Sequence, residues 1–334
     1  MMKSLKHLVM AVALLVAGTA PGYAENEKTV LALPVDGIQF MTLYVAQDAG
    51  FFADQNLDVK VVNIPGVGSF NAVISGSVDF SMSSATSLVR AAAKGQRMLA
   101  IANMNNRPSW SITLRRDVTD AVHFDSKASL AERAKILKGK TVAVQSMNSV
   151  EHAYLRIIAN EAGLDPESIT VTPMQLGDTL GAFSRKAIDG FTSAPPWPQQ
   201  VVEDGSGVVV ASGIDGDPAW MNPMGNSIVI TRPQFCVEHR SVCEKMGHAM
   251  VLSSKMIHEQ PEKVIGFLKK RFDKMSGPVI ELSFAALREA TPLSPVVSRE
   301  GLENGDRINV AAGFMKKEDM LSSYDGLSTN EFLK

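Results

Sequence analysis

The sequence predicts an α/β protein of two lobes, each a parallel sheet covered by helices on both faces. Three observations carry this. Short apolar strands alternate with short helices from Thr29 onward, the pattern of βαβ units. The pattern begins again at Leu137–Gly139 and repeats the same plan, so the chain holds two βαβαβ halves rather than a short tandem repeat. Two irregular, proline-bearing stretches, Asn105–Trp110 and Trp220–Gly225, are each followed by a strand-like run, Ser111–Leu114 and Ser227–Thr231, and mark the crossings between halves. At 334 residues, 45% hydrophobic and 20% charged, the chain has the length and composition of an ordinary globular protein with one large domain or two lobes.

The N-terminus stands apart from that pattern. Lys3 and Lys6 precede the apolar run Leu8–Ala17, which is too short to span a membrane. Gly22-Tyr23-Ala24 then places small residues where a signal peptidase reads them, so residues 1–24 read as a secretory signal peptide. No cysteine follows the run to take a lipid, and no later segment is long and apolar enough to be a transmembrane helix. The expected mature protein is therefore exported and not lipid-anchored. Its formal charge, −2 for the whole chain, becomes slightly more negative once the two lysines leave, which gives no basic surface for nucleic acid.

The first series opens with strand Thr29–Leu33, loop Pro34–Phe40 and helix Met41–Ala49, with Gly50 just past its end. Strand Val59–Ile64 follows, and after Pro65-Gly66-Val67-Gly68 a helix capped by Ser69 runs to Gly76. Asp79–Met82 is the third strand. Ser83, Ser84 and Thr86 crowd the turn into a helix that Gly95 ends, and Leu99–Met104 is the fourth strand. Hydroxyls and free N–H groups at a helix N-terminus form a ready anion site, although Ser84 as a simple N-cap accounts for the same residues.

The second series has strand Thr141–Gln145 and loop Ser146–Asn148. Asn148 and Glu151 stand at capping-box spacing for a helix through Ala162. Strand Ile169–Thr172 comes next, then a helix burying Leu176, Leu180, Phe183 and Ala187 on one face. Asp189–Ser193 is the third strand and opens into Ala194-Pro195-Pro196-Trp197, so Asp79 and Asp189 hold equivalent places. Helices Val242–Glu259 and Pro261–Phe272, with Pro261 at the first helical position, and weaker patterns beyond them are expected to return over the first lobe. The lobes are thus expected at residues 25–107 and 227–334 for the first and 108–226 for the second.

The only cysteines, Cys236 and Cys243, would lie about 10.5 Å apart on one continuous helix, beyond disulfide reach. They bond only if Cys236 sits in the turn leading into the helix and folds back. Export favours that bond, two free thiols are the alternative, and two cysteines alone make a poor metal site.

Several pieces together resemble one family over nearly all of the mature chain, from Val30 to Leu333. They are Val45–Phe52 (VAQDAGFF), Gly76–Phe80 (GSVDF), Leu137–Val144 (LKGKTVAV), Ala162–Asp165 (AGLD), Ala182–Phe191 (AFSRKAIDGF) and Ser193–Trp197 (SAPPW). In this order and spacing they resemble the periplasmic substrate-binding proteins of nitrate/sulfonate/taurine-type ABC importers (the SsuA/TauA/NMT1-like family), a group related to binders of thiamine pyrimidine precursors. The resemblance implies a type II periplasmic-binding-protein fold, with two lobes on a two-segment hinge and a ligand cleft between them. It also implies delivery of a small solute to a membrane permease with its ATPase, by a monomer without cofactor or metal. The yeast-type pyrimidine synthases of similar fold carry a cysteine-rich iron-binding motif, which two cysteines cannot supply, so an enzyme is not expected. A sensory receptor for a membrane signalling partner is an alternative that the residues do not separate from transport.

Ligands of open α/β sheets bind outside the carboxyl ends of the strands. That geometry and the resemblance nominate Asp36, Gln39 and Phe40 in the first loop, Gly68 and Ser69 in the second, and Ser83, Ser84 and Thr86 in the third. The second lobe offers Asn148, Ser149 and His152, then Pro196 and Trp197; Arg107, Trp110 and Trp220 stand near the crossings. Plainer readings stand beside these. Asp36-Gly37 makes a turn by itself, Gly66–Ser69 lacks dinucleotide-binding spacing and serves as turn plus cap, His152 suits a surface, and Trp197 and Trp220 suit a core. The other histidines show no paired-ligand spacing, and Asp215-Gly216-Asp217 lacks the later ligands of a calcium loop. Hydroxyls, amides and aromatics with few cations favour an organic anion, a sulfonate or carboxylate with room for an aromatic ring, over nitrate. Asp36 points the other way, to an amine or an N-heterocycle such as a thiamine pyrimidine precursor, and both remain open.

Overall fold

Two five-stranded sheets, one for each series, account for the strands of the computed structural model, which describes residues 26–334. The predicted signal peptide, residues 1–24, lies outside the described residues. The first series contributes β1 (Glu27–Leu33), α1 (Met41–Asp48), β2 (Leu57–Asn63), α2 (Val67–Ser75), β3 (Phe80–Ser83), α3 (Ala85–Ala93) and β4 (Leu99–Asn105). The chain then passes to β5 (Ser111–Arg115), two one-turn helices α4 (Arg116–Asp120) and α5 (Leu130–Ala134), β6 (Thr141–Val144) and α6 (Val150–Glu161). The second series finishes with β7 (Thr170–Pro173), α7 (Leu176–Ser184), β8 (Gly190–Ser193), α8 (Trp197–Glu203) and β9 (Gly207–Ser212). Strand β10 (Ser227–Thr231) leads to α9 (Pro233–Glu238), α10 (Arg240–Glu259), α11 (Pro261–Arg271), α12 (Gly277–Ala290) and α13 (Arg299–Ala311).

The strand orders are β2-β1-β3-β10-β4 and β7-β6-β8-β5-β9, the same arrangement twice. Each sheet is mixed rather than wholly parallel. The strand that enters from the crossing, β10 in one sheet and β5 in the other, runs antiparallel to both of its neighbours. A strand arriving from the opposite lobe has no helix to carry it back to the starting edge, so it inserts in the reverse sense. The sheet cores are apolar and closed: Leu31, Phe80, Met82 and Val229 in the first lobe, Ile112, Val142, Tyr154 and Ile158 in the second.

The two series share a strand-entry device. Asp79, just before β3, accepts hydrogen bonds at Oδ2 from the Thr29 hydroxyl and the Val30 N–H, both at 2.9 Å. Asp189, just before β8, accepts at Oδ2 from the Thr141 N–H at 2.8 Å. Arginines at the ends of the crossing strands stand beside them, Arg232 just past β10 at 3.9 Å from Asp79 and Arg115 closing β5 at 3.6 Å from Asp189.

Cys236 and Cys243 are disulfide-bonded, with Cα atoms 5.7 Å apart. The single helix that would hold them apart is broken at His239 (φ −123°, ψ 51°), so Cys236 rides on the separate short helix α9, folded back on α10. The C-terminal return covers more than the first lobe. Gly305 of α13 lies so close to α3 that an added Cβ would stand 3.0 Å from the Ala85 backbone. Farther along, Ile308 and Ala312 join the core of the second lobe, and the Arg156 guanidinium and Asn160 amide donate to the Ala312 and Ala311 carbonyls at 2.6 and 3.0 Å. Helix α13 thus contacts both lobes.

Candidate functional site

A cavity of about 490 Å³ opens between the two lobes, lined by the loops that leave the strand ends of both sheets. From the first lobe come Gln39 and Phe40 after β1, Ser69 on α2, and Ser83 and Ser84 where β3 meets α3. Ser84 is the N-cap of α3, its Oγ accepting from the Ser87 N–H at 3.3 Å. Thr86 is buried and outside the lining, because its hydroxyl is hydrogen-bonded to that of Ser84 at 2.7 Å. Asp36 is likewise turned away. Its carboxylate accepts from the Tyr44 hydroxyl at 2.9 Å, and burial together with Asp36 pushes the Tyr44 hydroxyl well above the usual tyrosine pKa. Gly68 lies in the first turn of α2 without lining the cavity.

One turn and a half along α3 stands a cation that was not anticipated. Arg90 lines the cavity and reaches across to the second lobe, its guanidinium 3.4–3.5 Å from the Asn148 carbonyl and 3.4 Å from Asn309 Oδ1. It lies 5.9 Å from the Phe314 ring centre. Burial lowers its pKa, and among the described residues no carboxylate pairs with it. The signal was in the sequence: Ser83, Ser87, Arg90 and Lys94 recur at helical spacing, and Ser83, Ser87, Arg90 and Lys94 all line the cleft.

The second lobe meets this wall with residues 145–151, and with Ala194 after β8. The cap of α6 is one residue later than its spacing suggests. Ser149 accepts from the His152 N–H at 3.3 Å, while Asn148 takes a left-handed conformation (φ 61°) and donates its N–H to His152 Nδ1 at 3.0 Å. Glu151 therefore becomes the second helical residue and closes no capping box. It lines the cleft half-buried, and its Oε2 is shut from solvent with no hydrogen-bond partner among the described residues. Burial pushes its pKa up, opposed by its own N–H and the Ser149 hydroxyl. His152 is buried rather than exposed, 5.2 Å from the Phe314 ring, and burial with nearby Arg156 holds its pKa down.

Among the nominated aromatics, Phe40 and Trp110 line the cavity, and Trp197 and Trp220 do not. Trp197 packs with Phe183 and Phe191 in the core of the second lobe. Trp220 donates its indole N–H to Glu161 at 2.9 Å under the Arg307 guanidinium. Arg107 and Pro196 also lie outside the lining. A proline-bearing loop thus marks exposure poorly here, since both tryptophans fold their rings onto the lobe that carries them.

Residues 37–270 match the family model described as "NMT1/THI5 like". No curated protein matches the sequence. Among solved structures, the chain is similar to a protein of Bordetella bronchiseptica RB50, at 17% identity and a TM-score of 0.75 over 92% of this chain and 96% of that one. It is similar to the alkanesulfonate-binding protein SsuA from Xanthomonas axonopodis pv. citri bound to MOPS, at 18% identity and a TM-score of 0.69, over 89% and 97%. It is also similar to the periplasmic nitrate-binding protein NrtA from Synechocystis PCC 6803, at 17% identity and a TM-score of 0.62, over 78% and 70%. At these identities the likeness is one of fold, the two-lobed periplasmic-binding-protein fold.

Proposed function

The chain belongs to the NMT1/THI5-like family, and from that premise we propose that it is the exported solute-binding component of an ABC importer, taking a small organic anion into the interlobe cleft. The anion is a carboxylate or sulfonate, with Phe40 and Trp110 as apolar walls for its organic part. The observation that carries this reading is Arg90, a cation held inside the cleft between the lobes with long bonds to neutral acceptors and no carboxylate partner among the described residues. An unpaired guanidinium in a half-buried site is costly unless an anion completes it. Ser83, Ser84 and Ser69 from one lobe and Asn148 and Ser149 from the other supply polar contacts around it, with Gln39 beside Phe40.

Residues 25–107 and the part of 227–334 that packs on them act as one lobe, closing on residues 108–226 and the end of α13 that packs there when ligand binds, and the closed monomer is read by the permease and its ATPase. The signal-peptide pattern of residues 1–24 supports export, and no helix of the described residues is long and apolar enough to cross a membrane. The reading is of binding and delivery, without a catalytic group.

The test is mass spectrometry of the small molecule released from protein purified without denaturation, joined to calorimetry with a panel of organic acids. One organic acid released in near-stoichiometric amount, and rebinding, is the expected result. Protein that releases nothing and whose unfolding temperature no organic acid moves would overturn the reading.

A further inference from the structure

Helix α13 reaches both lobes, and its two halves are held in different ways. The first half is anchored to the first lobe and to the crossing. Asn304 donates its side-chain amide to the Pro223 carbonyl at 2.7 Å, and Asn309 donates to the Thr86 carbonyl at 2.9 Å. Asp306 accepts from the Tyr324 hydroxyl at 2.7 Å, and all three side chains are buried. Gly301 brings the helix backbone against the crossing itself, since an added Cβ there would stand 3.3 Å from the Gly225 nitrogen. Breaking buried hydrogen bonds leaves desolvated groups unpaired, so this half parts from the first lobe only at high cost.

The second half ends against α6 of the opposite lobe. The last four carbonyls of a helix have no partner inside it. Local turns satisfy two of them here, the Asn309 carbonyl accepting from the Phe314 N–H and the Val310 carbonyl from the Gly313 N–H. The remaining two, Ala311 and Ala312, are met by Asn160 at 3.0 Å and Arg156 at 2.6 Å. These donors stand four residues apart on one face of α6, and a guanidinium at a helix C-terminus is also favoured by the helix dipole. Glu167 holds the other side of Arg156 at 2.7 Å. The end of α13 is therefore completed by the second lobe.

Two chain segments alone leave a pair of lobes free to rock and twist. A hydrogen-bonded helix gripped at both ends is stiff and removes part of that freedom. We propose that α13 is a third link between the lobes, one that limits how widely the cleft opens, and that Arg156 and Asn160 set its grip. Neither residue lines the cavity. A chain confined to fewer open arrangements gives up less on closing, so this grip acts on affinity without touching the ligand.

The test needs no ligand, so its failure would leave the solute-binding reading standing. Cys236 and Cys243 are bonded to each other. Thiols introduced by Ser75→Cys on α2 and Asp178→Cys on α7, both exposed positions, therefore take spin labels alone. Pulsed electron resonance then gives the distribution of distances between the labels in the mature chain. Asn160→Asp sets a carboxylate against the Ala311 carbonyl and draws Arg156 away from Ala312. It is expected to broaden the distribution and to add a population about 5 Å longer, the scale of one helical turn. Asn160→Lys keeps a donor at the end of α13 and should give the wild-type distribution. Arg156→Gln is the second variant, expected to move the distances in the same direction as Asn160→Asp, and circular dichroism identifies the variants that fold. Unchanged distances in a folded Asn160→Asp or Arg156→Gln protein, or the same lengthening with Asn160→Lys, would overturn the inference and reduce the α13–α6 contact to packing.

Discussion

The third strand-to-helix turn of each lobe starts from the same device and ends in opposite uses. Asp79 and Asp189 pin the start of β3 and β8 to the neighbouring strand, each beside an arginine at the end of the crossing strand. Beyond that point the first lobe continues into Ser84, a side-chain cap that accepts from the Ser87 N–H, and sends Arg90 into the cleft from the same helix. The second continues through two prolines into α8, which has no side-chain cap, and Trp197 is folded into the core. Proline removes the donors that a helix N-terminus would offer an anion. The second lobe instead meets the ligand space with its first turn, residues 145–151. A repeated scaffold fixes where turns fall, and local chemistry decides which of them faces the ligand.

The largest expected effect would break that contrast at its functional end. Arg90→Gln should weaken the organic acid that binds best by at least 100-fold, about 3 kcal/mol, since a desolvated guanidinium–anion contact is among the strongest in a binding site. Trp197→Phe in the opposite turn should change affinity less than about threefold. Isothermal titration of both variants decides it, and equal losses would mean that both turns serve the ligand.

At the shared end the two lobes differ in degree. Asp79 accepts two hydrogen bonds at one oxygen and Asp189 one. Asp79→Ala should therefore cost about 2 kcal/mol of stability, and Asp189→Ala about 1. Denaturant unfolding measures both, and a larger loss at Asp189 would show that Arg115 matters more than the hydrogen-bond count. Comparable to the Asp189 loss is Ser84→Ala. Loss of an N-cap costs about 1 kcal/mol, and here it also frees the Thr86 hydroxyl. A Ser84→Ala protein with unchanged melting temperature and weakened binding would make Ser84 a ligand contact rather than a cap.

The architecture was legible because its signals are local and repeated. Alternating strands and helices, the second start at Leu137 and the paired Asp79 and Asp189 all follow from residue order. The antiparallel sense of β5 and β10 was not legible, because strand direction after a crossing depends on where the chain re-enters the sheet. Within the site, sequence reasoning places loops at the cleft but does not orient their side chains. Asp36 and Thr86 are on the right loops and find partners inside their own lobe. Glu151 was read as half of a capping box, and a one-residue shift of the cap to Ser149 frees it for the cavity. Arg90 stands about a turn and a half beyond the hydroxyl-rich start of α3, where the local signals concentrate.

The first turns of the two lobes give the smallest and most specific prediction. In the first lobe the polar pair there, Tyr44 and Asp36, is locked by a hydrogen bond, and burial keeps the tyrosine protonated. In the second, His152 Nδ1 accepts the Asn148 N–H and so must be neutral at that nitrogen. Burial and Arg156 lower its pKa below the usual value of 6.5, while Glu167 opposes them. A histidine held neutral in the folded state contributes stability that is complete above pH 6.5 and is lost as the pH falls below it toward the folded pKa. Glu151 next to it has the opposite sign, since its raised pKa makes the folded state bind a proton more readily as the pH falls. The comparison must therefore be made against His152→Gln, which leaves Glu151 in place. Between pH 7.5 and pH 5.5 the wild type should lose up to about 1 kcal/mol relative to that variant, the worth of one neutral hydrogen bond. A constant difference between the two proteins across that range would mean that the Asn148 turn, and the carbonyl it turns toward Arg90, is held by something other than the imidazole.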